Sequence, residues 1–322
     1  MNAAVLNAIG KAPRCQDFAE PEPKDGEVIV RVRAAALKPI DRQMAAGAHY
    51  ASEVQLPAVC GTDGVGLLAD GTRVFFGGAR SPYGAMAERT VVARIRCVPL
   101  PDNVDDVTAA AVFNPGLSAF GALKWRAQLA AGETVLILGA TGVTGKLAIQ
   151  TAKLLGAGRV VAAGRNKQVL STLHELGADA TIRLDTTGAE LAELLAREAG
   201  GKGFDVVIDY LWGTPTEALL ASVTRRDFNS ALSRVRLVQV GESAGATISL
   251  PAAVLRSSRL EIMGAGSGSA PASREMWAEA IQWLLGNVAR GALRVETVRV
   301  SLAEIESEWG RERHGRRAVV IP

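Results

Sequence analysis

The chain has 322 residues, 48% of them hydrophobic, and this length exceeds that of a usual single domain, so we expect two domains. The net charge of +3 is too small to predict a nucleic-acid partner, and three widely spaced cysteines argue against a disulfide framework. No apolar run approaches the ~20 residues of a membrane helix, and the first residues lack the pattern of a signal peptide. We therefore expect a cytoplasmic protein without membrane contact.

The first region, from residue 1 to about 113, has the pattern of short strands and turns. In the segment GEVIVRVRAAAL, Val28, Val30 and Val32 alternate along one face, as in a half-buried strand. Glycines then separate short β-rich runs in GTDGVGLLADGTRVFFGG. This region is predicted to be mostly β.

From about residue 118 the pattern changes to alternating strands and helices. Helical spacing is visible in KLAIQTAKLLG and in GAELAELLAREAG. Nearly continuous apolar strands are typical of a parallel sheet covered on both faces, so we predict a doubly wound α/β domain. The apolar runs that predict its strands are 134–138, 159–163, 205–209, 235–240 and 260–263.

After about residue 268, the helical segment SREMWAEAIQWLLG leads to a strand-like RVETVRV, a polar helix and a final strand, AVVIP. These last pieces resemble the first region, so we expect the chain to return to the first domain. The tail GRERHGRR is rich in basic residues. It is expected to form a solvated face, and the alternatives are a phosphate contact by Arg316 or Arg317 and RNA binding.

The segment VLILGATGVTG, residues 135–145, runs from a predicted strand through three glycines into a predicted helix. Gly139, Gly142 and Gly145 would let the backbone turn sharply, approach a pyrophosphate and pack helix against strand. Free N–H groups at the helix start favour phosphates. The spacing G-x-x-G-x-x-G differs from the commoner G-x-G-x-x-G, and a tight structural turn is the alternative to a dinucleotide site.

The second strand of this domain ends in VVAAGRNKQ. NAD sites usually carry an acidic residue at this point, which holds the ribose hydroxyls. Here Arg165 and Asn166 stand instead, and a guanidinium pairs well with a 2′-phosphate. We therefore predict NADPH as the cofactor, with a solvated basic loop as the alternative.

Segments along nearly the whole chain resemble motifs of the medium-chain dehydrogenase/reductase superfamily, in its zinc-independent quinone oxidoreductase branch. In chain order they are LKPIDRQMAAGAHY, PAVCGTDGVG, AAAVFNPGLSAFGAL, LGATGVTGKLAIQTAKLLGA, GFDVVIDYLWG and GRRAVVIP. The resemblance implies a GroES-like β-barrel catalytic domain, a Rossmann domain and an active-site cleft between them. We assign residues 1–117 and 268–322 to the catalytic domain and residues 118–267 to the NADPH-binding domain.

The chain departs from the motifs of this branch at two positions. Lys38 replaces an Asn that lies near the nicotinamide in relatives, and Asp63 replaces a Glu. Zinc-dependent relatives carry G-H-E where this chain has Gly61, Thr62 and Asp63. The three histidines are scattered and the cysteines are not clustered, so no metal site is predicted.

The resemblance places three candidate catalytic residues in the first domain. Lys38 would donate a hydrogen bond or a proton to a developing oxyanion, and a surface lysine before a proline turn is the alternative. Asp41 is expected to orient its neighbours or to cap a helix, with catalysis as the alternative. Tyr50 either faces the substrate or is a packed aromatic residue at the rim of the site.

Further cofactor contacts are expected around the strand ends. Asn114 and Ser118 contact the nicotinamide or cap a helix. Tyr210 follows the fourth strand, where relatives line the adenosine side, and a capping aromatic is the alternative. The backbone of Val240 and Gly241 holds the carboxamide or forms a structural turn. The complete predicted set is Asn114, Ser118, Gly139, Thr141, Gly142, Val143, Thr144, Gly145, Gly164, Arg165, Asn166, Tyr210, Val240 and Gly241.

These features predict an NADPH-dependent reductase that transfers hydride to an electron-poor small molecule, a quinone or an α,β-unsaturated carbonyl compound. A catalytically idle NADPH-binding protein, a sensor or a structural protein like the lens crystallins of this family, is the alternative. The segment SSRLEIMG, residues 257–264, is predicted to be the last strand of the Rossmann sheet. An edge strand invites pairing with a second copy, and relatives dimerise in this way, so we predict a homodimer.

Overall fold

The computed structural model describes residues 1–49, 52, 55–224, 234–269 and 273–322. The chain divides into two compact units, Met1–Asn114 with Leu285–Pro322 and Pro115–Leu284. The sequence pattern placed the boundaries at 117/118 and 267/268. Both observed boundaries lie inside helices, where the residue pattern does not change, and this explains the difference.

The described strands and α-helices follow one another along the chain with short connections, several of them 3-10 turns, and one π-helical segment, Gly121–Arg126. The strands are β1 Asn2–Leu6, β2 Arg14–Asp17, β3 Glu27–Ala36, β4 Ala58–Val59, β5 Asp63–Leu67, β6 Arg73–Gly77, β7 Arg89–Ala93, β8 Cys97–Pro99, β9 Thr134–Leu138, β10 Arg159–Gly164, β11 Ala180–Arg183, β12 Val206–Asp209, β13 Arg234–Gln239, β14 Arg259–Gly264, β15 Thr297–Ser301 and β16 Arg317–Ile321. The helices are α1 Pro39–Ala45, α2 Asp106–Phe120, α3 Val143–Leu154, α4 Lys167–Leu170, α5 Gly188–Ala199, α6 Gly213–Val223, α7 Ala252–Ser257, α8 Arg274–Ala289 and α9 Ile305–Glu308.

The first unit is built on β-sheets. One sheet has the order β2-β1-β4, and a larger one has the order β15-β16-β3-β5-β6-β8, with β7 paired to β3. Val30 and Val32 of β3 are buried while Arg31 between them is exposed, as the alternating pattern predicted. The last strand, β16, pairs with β3 at Ala35 and Ala36, so the end of the chain completes this sheet.

The second unit is a six-stranded parallel sheet with the order β11-β10-β9-β12-β13-β14. Counted from β9, this is the doubly wound order 3-2-1-4-5-6. Val135 and Ile137 of β9 pack into the core on one face, and Leu136 and Leu138 pack into the core on the other. All five predicted strands are present, and the predicted fold class, α/β with a β-rich unit and a doubly wound unit, is confirmed.

The strand that the sequence pattern missed is β11, which lies at the edge of the sheet. Its four residues, ATIR, include one buried apolar side chain, Ile182, so they form no continuous apolar run. Within the described ranges, no helix combines the length and the apolar character needed to cross a bilayer.

Candidate functional site

The glycine loop connects the end of β9 to the start of α3. The N–H groups of Gly139 and Ala140 both donate to the Ala163 carbonyl of β10, at 3.0 and 2.9 Å, and fix the loop against the sheet. Gly139 has φ +89°, a conformation that favours glycine. Gly142 is the N-cap of α3 and supplies no side-chain cap, so the N–H groups of the first helical turn are left for an anion.

The other two glycines of the loop have different steric roles. A Cβ atom at Gly145 would lie 2.3 Å from the Gly139 carbonyl oxygen and 2.6 Å from the Ala140 Cα, so only glycine fits where helix meets strand. A Cβ atom at Gly142 would meet only the Gly139 oxygen, at 3.5 Å. The space beside Gly142 is therefore open for a ligand, and Val143 and Thr144 follow it in the first turn of α3.

The end of β10 lies beside this loop. A Cβ atom at Gly164 would lie 2.4 Å from the Thr141 Cγ2, so the methyl group of Thr141 fills the place of a side chain there. Arg165 follows with an exposed side chain. Asn166 caps α4, because its side-chain oxygen accepts the Val169 N–H at 3.1 Å. An exposed guanidinium thus stands at the position where dinucleotide sites read the adenosine ribose.

The ends of β12 and β13 complete the same edge of the sheet. The N–H groups of Val240 and Gly241 donate to the Asp209 carbonyl, at 2.8 and 3.2 Å, as in a structural turn. Tyr210 lies beside the glycine loop, since a Cβ atom added at Gly139 would lie 3.2 Å from the Tyr210 Cβ. Its hydroxyl is buried without a hydrogen-bond partner among the described residues, and burial raises its pKa above the ordinary range.

The Asp209 carboxylate holds the turn after β12, a role that the sequence reasoning missed. Its Oδ1 accepts the N–H groups of Leu211 and Trp212 at 2.8 and 2.9 Å, and its Oδ2 accepts the Thr216 hydroxyl. Trp212 has φ 58° and ψ −161°, a region that residues other than glycine rarely adopt. A carboxylate at the end of a buried apolar strand was the available signal.

Three predicted site residues, Asn114, Ser118 and Tyr50, have no described contact that assigns them a role in binding. Asn114 is exposed in the middle of α2, so the alternative that it caps a helix is wrong. Ser118 lies in the last turn of α2 and is partly buried. Tyr50 lies outside the described residues. The predicted substrate or nicotinamide contacts of these three residues stay predictions.

Among the described residues of the first unit, four charged residues are buried, Lys38, Asp41, Asp63 and Arg317, and we call them the charge cluster. The Lys38 ammonium lies 2.9 Å from Asp63 Oδ1, 3.5 Å from Asp41 Oδ2 and 3.1 Å from the Ala36 carbonyl oxygen. Only 2% of Lys38 is exposed, so the alternative that it is a surface lysine is wrong. Its three N–H bonds face three oxygens inside the protein.

Asp41 connects two segments of this cluster. Its Oδ2 accepts the Lys38 N–H at 2.8 Å in a capping box at the start of α1, and its Oδ1 accepts the Thr62 N–H at 2.9 Å. The predicted capping role of Asp41 is confirmed. Burial, together with the charge of Asp41, raises the pKa of Asp63, and the Lys38 ammonium opposes this shift.

Arg317 adds the second cation from the start of β16. Its guanidinium donates to the Leu37 carbonyl at 2.9 Å, and it is 6% exposed. The expectation of a solvated basic tail is therefore wrong for Arg317, although Arg316 is exposed. Burial lowers the pKa of Arg317 to about 10 against the opposing effect of two aspartates, and the group stays charged at neutral pH.

The donor set at this position does not fit a zinc ion. The ammonium of Lys38 already lies between the two aspartates, where a metal would meet a fixed positive charge. Burial raises the pKa of the nearby Cys60 thiol to about 12, which disfavours the thiolate that zinc prefers. Within the described part of the chain, no group of three or more histidine, cysteine or acidic residues is arranged for a metal.

Comparison with known proteins finds similarity to dehydrogenases and reductases. A family model described as zinc-binding dehydrogenase matches residues 143–286, which lie within α3 to α8 and exclude the charge cluster. The quinone oxidoreductase of Pseudomonas aeruginosa is 31% identical over 301 residues, which cover 90% of this chain and 88% of that protein. The chloroplastic NADPH-dependent alkenal/one oxidoreductase of Arabidopsis thaliana is 30% identical over 205 residues, 59% of this chain and 51% of its own length.

Among solved structures, the quinone oxidoreductase of Thermus thermophilus, which was also determined in complex with NADPH, is similar over its whole length. The TM-score is 0.82 at 30% identity, with 100% of both chains covered. This match supports the predicted combination of a GroES-like β unit with a Rossmann unit.

Proposed function

Because this chain belongs to the medium-chain dehydrogenase/reductase superfamily, in its quinone oxidoreductase-like branch, we propose that it is an NADPH-dependent reductase of quinones or α,β-unsaturated carbonyl compounds. The observation that carries the proposal is the exposed Arg165 at the end of β10, beside an open glycine loop. A phosphate-binding helix start and an exposed guanidinium together match the charge pattern of NADPH.

The residues of this edge fit such a cofactor. The first turn of α3 and the open space at Gly142 suit the pyrophosphate, and Arg165 with Asn166 suits the 2′-phosphate. The buried hydroxyl of Tyr210 costs about 1–3 kcal/mol if it stays without a partner, and a polar atom of the cofactor would satisfy it. The N–H groups of Val240 and Gly241 already bind Asp209, so a carboxamide contact there would use their carbonyl groups.

The chemistry divides between the cofactor and the protein. When bound, NADPH supplies a hydride. The protein binds and orients the acceptor, excludes water, and supplies a proton to the oxygen on which negative charge develops. Lys38 is our candidate source of that proton, although the charge cluster encloses its ammonium group. In zinc enzymes the metal stabilises the negative charge that develops on the acceptor oxygen. The donor set here does not fit zinc, and electron-poor acceptors suit such a site because they form this oxyanion readily on hydride addition.

A turnover assay on the purified protein tests this function. The absorbance of NADPH is followed with a panel of benzoquinones, naphthoquinones, 2-alkenals and enones, and calorimetry measures the binding of NADPH and NADH in parallel. We expect saturable turnover with NADPH preferred over NADH. Tight NADPH binding without turnover on any acceptor would instead identify a catalytically idle binding protein.

A further inference from the structure

The ammonium of Lys38 lies among three oxygens that come from three different elements. Its Nζ donates to Asp63 Oδ1 at 2.9 Å and to the Ala36 carbonyl at 3.1 Å, and it lies 3.5 Å from Asp41 Oδ2. Ala36 ends β3, Asp41 lies in the first turn of α1, and Asp63 begins β5. The ammonium therefore links two strands and a helix of the first unit, as a bound cation would.

The protein holds these oxygens in place by bonds that do not involve the Lys38 side chain. Asp41 Oδ2 accepts the backbone N–H of Lys38 at 2.8 Å, and Asp41 Oδ1 accepts the Thr62 N–H at 2.9 Å. Asp63 pairs with β6 in the sheet, and its Oδ2 accepts the Thr62 hydroxyl at 3.3 Å. Ala36 pairs with β16. The set of oxygens should therefore persist when the Lys38 side chain is shortened.

The distances fit an ammonium ion better than a metal ion. N–H···O hydrogen bonds measure about 2.7–3.2 Å, and two of the three contacts of Nζ lie in this range. Zinc–oxygen bonds measure about 2.0–2.2 Å, and calcium–oxygen bonds about 2.3–2.6 Å. A metal ion in the place of Nζ would be too far from all three oxygens to bind them.

The charges of the cluster also favour a monovalent ion. Lys38 and Arg317 supply two positive charges, and Asp41 and Asp63 supply two negative charges. Burial lowers the pKa of Arg317, and both aspartates oppose that shift, so Arg317 interacts with them as well. Without the Lys38 ammonium, one negative charge is left over. A monovalent cation balances it, whereas a divalent ion leaves one buried positive charge in excess.

We propose that the oxygens of Ala36, Asp41 and Asp63 form a binding site for a primary ammonium ion, and that Lys38 fills this site as a cation tethered to the chain. The family model that matches the second unit is described as zinc-binding, and the first unit departs from that description by carrying its own cation beside Asp63. Lys38 thus closes the site to metal ions in the wild-type protein. The inference does not rest on the proposed reductase activity.

The decisive variant is Lys38→Ala, which removes three methylene groups and the ammonium. These are the atoms of n-propylammonium, so this ion should bind in the space that they leave. The variant is unfolded in urea and refolded with n-propylammonium chloride, so that the ion can reach a buried site. We expect a saturable rise in Tm of about 5 °C, because a ligand that binds only the folded state stabilises it. If Lys38→Ala does not fold alone, its folding should depend on the amine.

Two kinds of control separate ion binding from other effects. 1-Propanol has the same carbon chain without the charge, so an equal rise in Tm with 1-propanol would mean that an apolar cavity is filled, and would refute an ion site. Lys38→Ala/Asp63→Asn lacks the charge of the nearest acceptor and should lose the response to the amine. The wild type and Lys11→Ala should not respond, because Lys38 fills the site in both and Lys11 is exposed.

Nitrogen-15 NMR of the lysine side chains tests the wild-type protein directly. An enclosed, hydrogen-bonded ammonium exchanges its protons slowly with water, so its Nζ signal is visible at neutral pH, whereas exposed lysines lose theirs. We expect a visible signal for Lys38, assigned by its absence in Lys38→Arg, which keeps a cation at this position. The signal should shift in Asp63→Asn, because that variant removes the charge of the nearest acceptor.

Three results would overturn the proposal. Lys38→Ala that gains no stability from n-propylammonium on refolding refutes the ammonium site. Mn²⁺ or Zn²⁺ that stabilises Lys38→Ala more than the amine does would show that these oxygens form a metal site. A wild-type protein without a visible Lys38 signal would show that the ammonium is not held. None of these measurements needs turnover, so a protein that reduces no acceptor refutes the proposed function and leaves the ammonium site intact.

Discussion

The glycine loop of the second unit and the charge cluster of the first differ in how they stabilise charge. The loop offers backbone N–H groups and open space at Gly142 and carries no charged side chain of its own. The cluster encloses two cations and two anions with exposures of 2% to 6%. The first arrangement leaves N–H groups and space for the anion that we propose to bind there, while the second balances its charges internally. Substitutions at the cluster should therefore act on stability, whereas substitutions at the loop should also act on ligand affinity.

The largest effect is expected for Lys38→Met, which removes the cation that lies between Asp41 and Asp63. A buried charge that loses its partner costs about 3–5 kcal/mol, so the free energy of unfolding should fall by that amount. Urea unfolding followed by circular dichroism measures it. Lys11→Met is the control, because Lys11 is exposed and should change stability little.

The double variant Lys38→Met/Asp63→Leu sharpens this test. It replaces the ion pair by apolar groups and leaves Asp41 with its two backbone N–H donors and the favourable charge of Arg317, so it should recover much of the stability lost in the single variant. If Lys38→Met is as stable as the wild type, the ion pairs of Lys38 with Asp41 and Asp63 do not stabilise the fold as expected.

Gly145→Ala should have the next largest effect, and it acts on the loop. The new Cβ would lie 2.3 Å from the Gly139 oxygen, so the helix start must move away from the strand. We expect a loss of about 1–3 kcal/mol in stability, typical of overpacking, and a marked loss of NADPH affinity in calorimetry. Gly286→Ala is the control, since nothing lies within 4 Å of its added Cβ in α8.

These two regions also differ in how far they could be predicted from sequence. Gly139, Gly142 and Gly145 lie in one short segment that runs from the end of β9 into the first turn of α3, so local pattern was sufficient to predict this strand, turn and helix. The cluster joins Lys38 to Asp63 across 25 positions, and Arg317 to Leu37 across 280 positions. Local pattern carries no information on such pairs.

The errors follow from this difference. Lys38 before a proline and Arg317 in a basic tail were both open to interpretation as surface residues. Nothing in their own segments revealed that each lies buried near Asp41 and Asp63. Asp41 was predicted as a cap because its partner, the Lys38 N–H, lies only three residues away. The edge strand β11 was missed since four residues with one buried apolar side chain give too weak a pattern.

Arg165→Ala should have a smaller effect that is confined to cofactor choice. The side chain is exposed, so its removal should leave the free energy of unfolding unchanged. Loss of a charged partner for the 2′-phosphate should weaken NADPH binding by about tenfold or more and leave NADH binding unaltered. Calorimetry with both cofactors measures this, with the exposed Arg316→Ala as the control. Equal losses for NADPH and NADH would show that Arg165 does not read the 2′-phosphate.

The smallest effect on the chain itself is expected at the open edge of β14. In the described part of the protein, the strand neighbour of β14 is β13, and its other side is free of strands. The Ala265 N–H donates to the Gln239 carbonyl at 2.8 Å. Because N–H groups alternate sides along a strand, the N–H of Ile262 points to the open side, where a second copy would pair.

We therefore expect a homodimer in light scattering at micromolar concentration. Ile262→Pro should favour the monomer, since proline removes the outward N–H while the hydrogen bonds to β13 remain. Ile262→Val keeps that N–H and a similar side chain, so it should stay dimeric and control for the packing of Ile262 against the core. A wild-type monomer would refute the dimer. A dimer that persists in Ile262→Pro would show that the two copies meet on another surface, because pairing across this edge requires the N–H that proline lacks.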